Sequence, residues 1–227
     1  MSVCVIPARG GSKRIPGKNV ALFHGRPMIG WPIAAARGSG LFERIVVSTD
    51  DDDIAEVARA EGAEVPFLRP ADLSDDHTPT VPVIGHAVEA LHLTGDTPVC
   101  CLYATAPFVK ANDLAEGLAL LVAGARHVMA VTRFEYPIER ALRRAADGSV
   151  EMVQPHHMQT RSQDLEEAWH DAGQFYWARA ATWAAGTPVF DPGARGVALP
   201  SWRVVDIDTP EDWTRAEALF PMIMACS

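Results

Sequence analysis

Residues 3–19 read VCVIPARGGSKRIPGKN and place a basic, glycine-rich loop directly after an apolar run. Residues 3–8 are apolar on both faces, which is typical of a strand buried between helices in a parallel sheet. The loop that follows contains four bases and three glycines, namely Arg9, Lys13, Arg14 and Lys18 with Gly10, Gly11 and Gly17. Ligands of open α/β sheets bind beyond the carboxyl ends of the strands, so this loop is the first candidate site.

Similar apolar runs recur along the chain with helical patterns between them. Further strands are predicted at residues 44–49, 63–69, 97–103, 126–132 and 202–207. Apolar residues at helical spacing, ending near glycines, predict helices within residues 27–40, 52–62, 80–95 and 112–125. The alternation predicts an α/β fold with an open, doubly wound, mostly parallel sheet.

Residues 134–171 interrupt this alternation. They contain a predicted β-hairpin that turns at Asp147-Gly148, followed by a polar stretch without a steady period. Fewer than forty residues bury little core by themselves, so we interpret the chain as one domain, residues 1–227, with an excursion. Such excursions commonly serve as substrate lids or subunit contacts, so we expect substrate binding and dimer contact here.

The charge distribution favours a small anion as ligand. The 227 residues carry a net charge of -9, which argues against nucleic-acid binding. Residues 1–42 nevertheless hold six bases and no acid, so a local positive field lies on an acidic body. No apolar stretch reaches the ~18 to 20 residues of a membrane span, and the first residues lack a signal-peptide core. We therefore expect a cytoplasmic protein that does not contact membranes.

The four cysteines do not form a recognisable metal or redox motif. Cys4, Cys100 and Cys101 lie in apolar runs, Cys226 is next to last, and no C-x-x-C spacing occurs. Buried free thiols are the prediction.

The loop at residues 7–19 suits a triphosphate. Glycines let backbone amides approach a ligand, and clustered bases neutralise phosphate oxygens. A Walker A loop is disfavoured, because the spacing from Gly11 to Gly17 is one residue too long and Asn19 follows Lys18. The G-x-G-x-x-G dinucleotide pattern is absent as well. A merely solvated basic loop is the alternative.

Five motifs in order give the chain a resemblance to a known family. IPARGGSKRIPGKN, FLRPADLSDDHTPT, CCLYATAPF, RSQDLEEAWHDAGQFYW and DIDTPEDW resemble cytidylyltransferases that activate nine-carbon sialic-type sugars. Within that family, SKRIPGKN, VSTDD, LSDD, LYATAPF and AGQFYW look most like the pseudaminic acid enzymes. Sialic acid synthetases usually carry Gln-Pro-Thr-Ser-Pro where this chain has residues 103–107, YATAP. The resemblance covers essentially the whole chain and implies a Rossmann-like nucleotidyltransferase.

Asp206 and Asp208 are the candidate metal ligands. Two residues apart at the end of a predicted strand, they would point to the same face, where paired carboxylates can hold Mg²⁺. The resemblance implies the same, since the matching Asp-x-Asp residues of the family bind metal. Helix capping is the alternative reading of this region, with Thr209 as the N-cap and Pro210 in the first turn. The acidic run at residues 50–53 is interpreted as complementing the dipole of the next helix.

The resemblance also implies which residues bind the nucleotide. Arg69 matches the arginine that reads the cytosine ring, whose acceptors suit a guanidinium fork. The nucleotide-binding set is Ala8, Arg9, Gly10, Gly11, Ser12, Asn19, Arg69 and Thr80.

For the sugar, Arg161 is the leading candidate, because a 2-keto acid offers a carboxylate that a guanidinium binds with two hydrogen bonds. Gln159, Gln163 and Gln174 can form hydrogen bonds with hydroxyl or acetamido groups of the sugar. Residues 175–177, FYW, can form an apolar wall. Core packing explains alternate members of that run equally well. The candidate sugar-binding set is Tyr103, Thr105, Gln159, Arg161, Gln174, Phe175 and Tyr176.

The reaction that these expectations describe is attack of the sugar's anomeric hydroxyl on the α-phosphorus of CTP, giving a CMP-sugar and pyrophosphate. The candidate catalytic residues are Arg9, Lys13, Lys18, Asp206 and Asp208, with Mg²⁺ as cofactor. Three alternatives stay open. They are a cytidylyltransferase for sialic, legionaminic or another keto-deoxy acid, a nucleotide-binding module without turnover, and a P-loop kinase.

Overall fold

The computed structural model describes residues 2–225 and contains ten strands and six helices within that range. The strands are β1 Ser2–Pro7, β2 Leu22–Phe23, β3 Arg26–Pro27, β4 Phe42–Ser48, β5 Pro98–Leu102, β6 His127–Arg133, β7 Leu142–Arg144, β8 Val150–Met152, β9 Trp169–Arg179 and β10 Arg195–Ala198. The helices are α1 Gly30–Ser39, α2 Asp52–Ala60, α3 Thr80–Ala90, α4 Ala111–Val122, α5 Ala180–Ala184 and α6 Pro210–Ala225.

Six strands form the central sheet in the order β10-β6-β9-β5-β1-β4. β1 pairs in parallel with β4 and β5, and β10 pairs in parallel with β6. β9 lies between β5 and β6 and is antiparallel to both, so the other five strands share one direction. The prediction of an open, mostly parallel α/β sheet is confirmed.

Helices cover both faces of this sheet. One face packs against α1, α2 and α4, and its buried members include Ile33, Ile54 and Leu114. The other face packs against α3 and α5 through Ile84 and Trp183. Helical cover on both sides explains why the predicted strands are apolar on both faces.

A third cluster of buried side chains docks the C-terminal helix. Phe220 and Ile223 of α6 pack with Phe23, Phe108 and Ile207. Thr209 accepts a hydrogen bond from the Asp212 N–H (3.2 Å), and Asp212 accepts one from the Thr209 N–H (2.8 Å), so the predicted helix start is confirmed. This packing carries the residues before α6 to the loop that follows β1.

Two predicted strands are wrong. Residues 63–69 make only isolated bridges, Glu64 with Val46 and Leu68 with Thr49, because Pro66 between them lacks an N–H group for a ladder. Residues 202–207 start in a 3₁₀ turn, Ser201–Arg203, and continue as irregular chain.

The sequence prediction also missed four strands. β2 and β3 are two residues long each, β10 is only four residues long, and β9 passes through the motif interpreted as a sugar-pocket wall. Because β9 begins at Trp169, the excursion ends slightly before the predicted residue 171.

The hairpin within the excursion is confirmed. β7 and β8 pair in antiparallel fashion with Arg143 opposite Glu151. At the turn, Asp147 accepts a hydrogen bond from the Ser149 N–H (2.9 Å), and Gly148 has a φ of 90°. A positive φ is easily adopted by glycine, which explains the Asp-Gly pair.

Cys4, Cys100 and Cys101 are buried free thiols, as predicted, whereas Cys226 lies outside the described residues. None of the helices found within residues 2–225 has the length and apolar character needed to cross a bilayer.

Candidate active site

A cleft of about 550 Å³ opens at the carboxyl ends of β1 and β5. It brings together parts of the chain that are distant in sequence: the loop after β1, the segment before α3, the end of β5 and the segment before α6. Eleven predicted site residues line it, namely Arg9, Ser12, Lys13, Lys18, Asn19, Arg69, Thr80, Tyr103, Thr105, Asp206 and Asp208.

The loop at residues 7–19 is fixed from both ends. The Asn19 side-chain amide donates to the Arg9 carbonyl oxygen (3.0 Å), and the Gly10 N–H donates to the Asp50 carboxylate (3.1 Å). A Cβ atom at Gly10 would lie 2.3 Å from an Asp51 carboxylate oxygen, so only glycine fits there. The acidic run therefore does more than cap α2. Asp51 accepts from the Ile54 N–H (3.0 Å) at the helix start, while Asp50 orders the basic loop.

The backbone amides of the predicted nucleotide-binding set differ in their availability. Ala8 is buried and its N–H donates to the Ser48 carbonyl oxygen (2.9 Å), so that amide is already occupied. The Gly11 N–H has no hydrogen-bond partner among residues 2–225, and a phosphate oxygen could accept from it.

One carboxylate pairs with two of the predicted phosphate-binding bases. Arg9 and Lys13 both form ion pairs with Asp76, which follows the predicted cytosine-reading arginine by seven residues. Hydrogen bonds from Lys13 and Arg9 lower the pKa of Asp76 to about 2, so this carboxylate is ionised at any physiological pH. Asp76 thus provides the negative charge that these bases would otherwise take from a phosphate.

The other end of the loop contacts the Asp-x-Asp segment. Arg14 Nη2 lies 2.7 Å from Asp208 Oδ2, and Lys18 Nζ lies 3.2 Å from Asp208 Oδ1. Lys18 also donates to the Ile207 carbonyl oxygen (2.5 Å). Residues some 190 positions apart in sequence therefore meet at one edge of the cleft.

Asp206 lies at the cleft wall without a hydrogen-bond partner among the described residues. Although the residue is exposed to solvent in the cleft, the protein around its carboxyl group raises the pKa, and the nearby Asp208 carboxylate raises it further. Its carboxylate lies against the backbone of Gly173, whose φ is +60°. An unpartnered carboxylate next to a second one is a suitable ligand pair for a divalent cation that keeps several waters. Within residues 2–225 there is no group of three or more potential metal-ligating side chains.

Arg69 has a largely buried side chain at the inner end of the cleft. Its Nε donates to Ser74 Oγ (3.1 Å), and its Nη2 lies 3.5 Å from Asp50 Oδ1. Burial lowers the pKa of the guanidinium from its ordinary, very high value, and the Asp50 charge opposes that shift. The fork is thus held in one orientation, as the reading of a planar base requires.

A row of hydroxyl groups runs from the cleft into the sheet. Thr80 Oγ1 and Tyr103 Oη are 2.8 Å apart, the rings of Tyr103 and Tyr176 lie 5.5 Å apart, and the Tyr176 hydroxyl donates to Asp171. Burial raises the pKa of Tyr103 to about 12 and raises that of Tyr176 as well, so both remain protonated donors. Asp171 is close enough to contribute to the raised pKa of Asp206.

The predicted sugar-binding residues fall into three groups. Tyr103 and Thr105 line the cleft, whereas Gln159 and Arg161 are exposed on the excursion, where Arg161 makes two hydrogen bonds to Asp164 (2.7 and 3.0 Å). Tyr176 is buried, with its hydroxyl on Asp171.

Gln174 and Phe175, also predicted as sugar-pocket residues, do not line the cleft. Both are buried in β9, because this strand occupies the middle of the sheet. Phe175 belongs to the core cluster shared with α4, and the Gln174 side-chain amide faces the Arg203 carbonyl oxygen (3.4 Å).

Sequence reasoning missed three carboxylates at this site, Asp50, Asp76 and Asp171. Each lies inside a motif quoted above, in VSTDD, LSDD and HDAGQFYW respectively. The acidic character of these motifs, close to a cluster of bases, was the available signal.

Comparison with known proteins agrees with this geometry. Residues 3–184 match the model of the cytidylyltransferase family. A pseudaminic acid cytidylyltransferase of Campylobacter jejuni (strain 81-176) is 41% identical over 222 residues, which cover 96% of each chain. A CMP-N,N'-diacetyllegionaminic acid synthase of Legionella pneumophila is 33% identical over 97% of this chain and 96% of its own. Among solved structures, a CMP:2-keto-3-deoxy-manno-octonic acid synthetase complexed with CTP shares the fold with a TM-score of 0.70, at 18% identity over 97% and 98% of the two chains.

Proposed function

Because the chain belongs to the cytidylyltransferase family, we propose that it transfers CMP from CTP to pseudaminic acid, releasing pyrophosphate. The observation that carries this proposal is the meeting of the loop after β1 with the Asp-x-Asp segment, through Arg14, Lys18 and Asp208. A cleft lined by both bases and carboxylates suits a magnesium-bound triphosphate.

The side chains of the cleft bind and orient the nucleotide. Arg9 and Lys13 release Asp76 and bind phosphate oxygens, while the Gly11 N–H donates from the backbone. At the inner end, Arg69 reads the acceptor atoms of cytosine, with its fork held by Ser74 and Asp50. Thr80 and Tyr103 lie between these two regions and can bond the ribose or the incoming sugar.

Asp206 and Asp208 would hold Mg²⁺. The fit rests on the unpartnered Asp206 carboxylate next to Asp208, since a cation would favour the ionised form that burial and the Asp208 charge, by raising the pKa of Asp206, disfavour. When bound, Mg²⁺ neutralises charge that builds on the phosphates during transfer. Lys18, which donates to the Ile207 carbonyl oxygen and Asp208, keeps this segment against the loop.

Pseudaminic acid is favoured over other acid sugars by the relatives and by one stretch of sequence. Over nearly the whole chain, the Campylobacter relative of that name is 41% identical, against 33% for the legionaminic acid enzyme of Legionella. Residues 103–107, YATAP, line or adjoin the cleft and replace the Gln-Pro-Thr-Ser-Pro of sialic acid synthetases. A CMP-sialic or CMP-legionaminic acid synthetase is the second candidate.

The test is a substrate panel with CTP and Mg²⁺. Pyrophosphate release is followed with pseudaminic, legionaminic, N-acetylneuraminic and 2-keto-3-deoxy-octonic acids, and we expect the highest kcat/KM with pseudaminic acid. A higher kcat/KM with another acid would overturn the choice of sugar. Tight CTP binding without turnover of any acid sugar would instead indicate a nucleotide-binding module.

We also propose that the excursion forms a homodimer contact. The excursion has exposed apolar side chains, among them Leu142 and Val150 in its two-stranded sheet and Val153 and Met158 after it. Exposed apolar side chains concentrated in one segment are typical of an interaction surface. Sedimentation at micromolar concentration should show a dimer that Leu142→Asp with Val150→Asp converts to a monomer, and a monomeric wild type would overturn the proposal.

A further inference from the structure

The position of Asp206 is not set by secondary structure. Residues 204–208 belong to no strand or helix, and the N–H groups of residues 205–207 have no hydrogen-bond acceptor within residues 2–225. Val205 and Ile207 are nevertheless buried, at 5% and 0% exposure, while Asp206 between them lines the cleft. Some other contact must therefore fix the direction in which this short segment runs.

Arg203 provides a rigid contact immediately before that segment. Its guanidinium is buried and donates to both oxygens of Asp113, at 2.5 and 2.8 Å, as well as to the Phe108 carbonyl oxygen (3.1 Å). Asp113 lies in the first turn of α4 and also accepts from the Lys110 N–H (2.9 Å). The backbone carbonyl of Arg203 faces the side-chain amide of Gln174 in β9 (3.4 Å).

The same anchor residues contact the cluster that buries the segment. Phe108, whose carbonyl oxygen binds Arg203, packs its ring with Val205 and Ile207. Arg203, Phe108 and the two apolar neighbours of Asp206 thus form one connected unit. A change in the direction of the Arg203 fork would be transmitted to the Asp206 backbone three residues later.

Fold stability alone does not account for an arginine at this position. A buried ion pair loses hydration energy that offsets its attraction, and an uncharged pair of similar volume is commonly as stable. What the guanidinium fork provides in addition is a fixed geometry, since two parallel hydrogen bonds define both distance and orientation.

We propose that Arg203, held by Asp113 and the Phe108 carbonyl oxygen, is a positioning residue for the Asp206 carboxylate. This inference rests on the proposed function, because it assigns Arg203 to the divalent-cation site of that reaction. Residues that orient metal ligands typically contribute about 10- to 100-fold to metal affinity.

The test separates positioning from stability with the double variant Arg203→Met with Asp113→Asn. This pair is neutral, and the asparagine can still accept from the Lys110 N–H. We expect its Tm to stay close to that of the wild type, while the affinity for Mn²⁺ in the presence of CTP, measured by electron paramagnetic resonance, falls about tenfold or more. The matched control is Arg26→Met with Glu61→Leu, which removes a half-buried arginine–carboxylate pair away from the cleft and should leave Mn²⁺ affinity unchanged.

Arg203→Lys provides the second measurement if the double variant does not fold. Lysine keeps the charge but not the fork, so we expect weaker Mn²⁺ binding with little change in CTP binding without metal. Wild-type Mn²⁺ affinity in either variant would overturn the inference. If the wild type itself binds CTP but no Mn²⁺, the metal site of the proposed function fails, and the role of Arg203 fails with it.

Discussion

At the scale of single residues, the bases of the loop after β1 are already paired with carboxylates, whereas Asp206 has no such partner among the described residues. Asp76 forms ion pairs with Arg9 and Lys13, and Asp208 forms ion pairs with Arg14 and Lys18. Such partners keep the flexible side chains of the bases ordered before a nucleotide binds. They also compete with it, because a triphosphate must replace at least one carboxylate.

Asp76→Asn should therefore strengthen nucleotide binding. The ion pairs are exposed and therefore weak, so we expect the Kd for CTP to fall by only about two- to fivefold. Isothermal titration calorimetry measures this, with Asp72→Asn as a control on the same surface segment outside the cleft. Weaker CTP binding by Asp76→Asn would show that Asp76 supports the bound state instead of competing with the phosphates.

Asp206→Asn should abolish metal-dependent turnover while stabilising the fold at neutral pH. The folded-state pKa of Asp206 is raised, so its ionisation destabilises the native state, and this loss grows as pH rises through the folded pKa. Asparagine cannot ionise, so the variant does not lose this stability. The Tm difference between variant and wild type should vanish at a pH below the ordinary carboxyl pKa, where the wild-type Asp206 is protonated in both the folded and the unfolded state. Thermal unfolding from pH 3 to 8 checks this, and an unchanged or lower Tm at pH 7 would contradict it.

At the scale of elements, the fold of the loop depends on one close approach. Gly10 lies so near Asp51 that a methyl group would force the loop or the start of α2 to move. From the sequence, we expected the glycines of this loop to let the backbone approach a ligand. In the structure, the close neighbour of Gly10 is instead the Asp51 side chain. That distinction depends on a contact across 41 positions and is not visible in the local pattern.

Gly10→Ala should weaken CTP binding by about tenfold, because displacement of the loop breaks the Gly10–Asp50 hydrogen bond and costs about 1.4 kcal/mol or more. Gly38→Ala in α1 is the control, since a Cβ there meets no atom within 4 Å. Calorimetric titration with CTP is the measurement. Equal affinities for the two variants would mean that the loop adapts without loss.

Elements were predictable wherever the local apolar pattern alone identifies them, and less so elsewhere. β1, β4, β5 and β6 have the apolar pattern of buried strands, and the helices between them follow their periodicity. Residues 63–69 have the right composition, but the missing N–H of Pro66 prevents a ladder. β9 was missed because its pairing with β5 and β6 depends on sheet order, which no local pattern encodes. The carboxylates of the cleft were predicted only in part for the same reason.

At the scale of the whole molecule, the charge near the substrate site is opposite in sign to the net charge of the chain. Six bases and no acid lie in residues 1–42 of a chain whose net charge is -9. The local field attracts a polyphosphate that the rest of the surface repels. Salt screens such interactions over about 10 Å at 0.1 M.

CTP binding should therefore weaken as ionic strength rises, by about threefold or more between 50 and 300 mM KCl, since several screened charges are involved. The affinity for cytidine, which lacks phosphates, should stay nearly constant over the same range. Titration of both ligands at each salt concentration gives the comparison. Parallel changes for the two ligands would indicate a general effect of salt on the fold instead of a field at the loop.

The antiparallel strand in the middle of the sheet has a consequence for synthesis on the ribosome. β5 and β6 have no hydrogen bonds to each other and are joined only through β9, which ends at Arg179. A nascent chain that does not yet include β9 can pair β4, β1 and β5, but it cannot connect them to β6. The edges of β5 and β6 that face this gap then stay open until β9 has emerged, and these edges are where a chaperone would be needed.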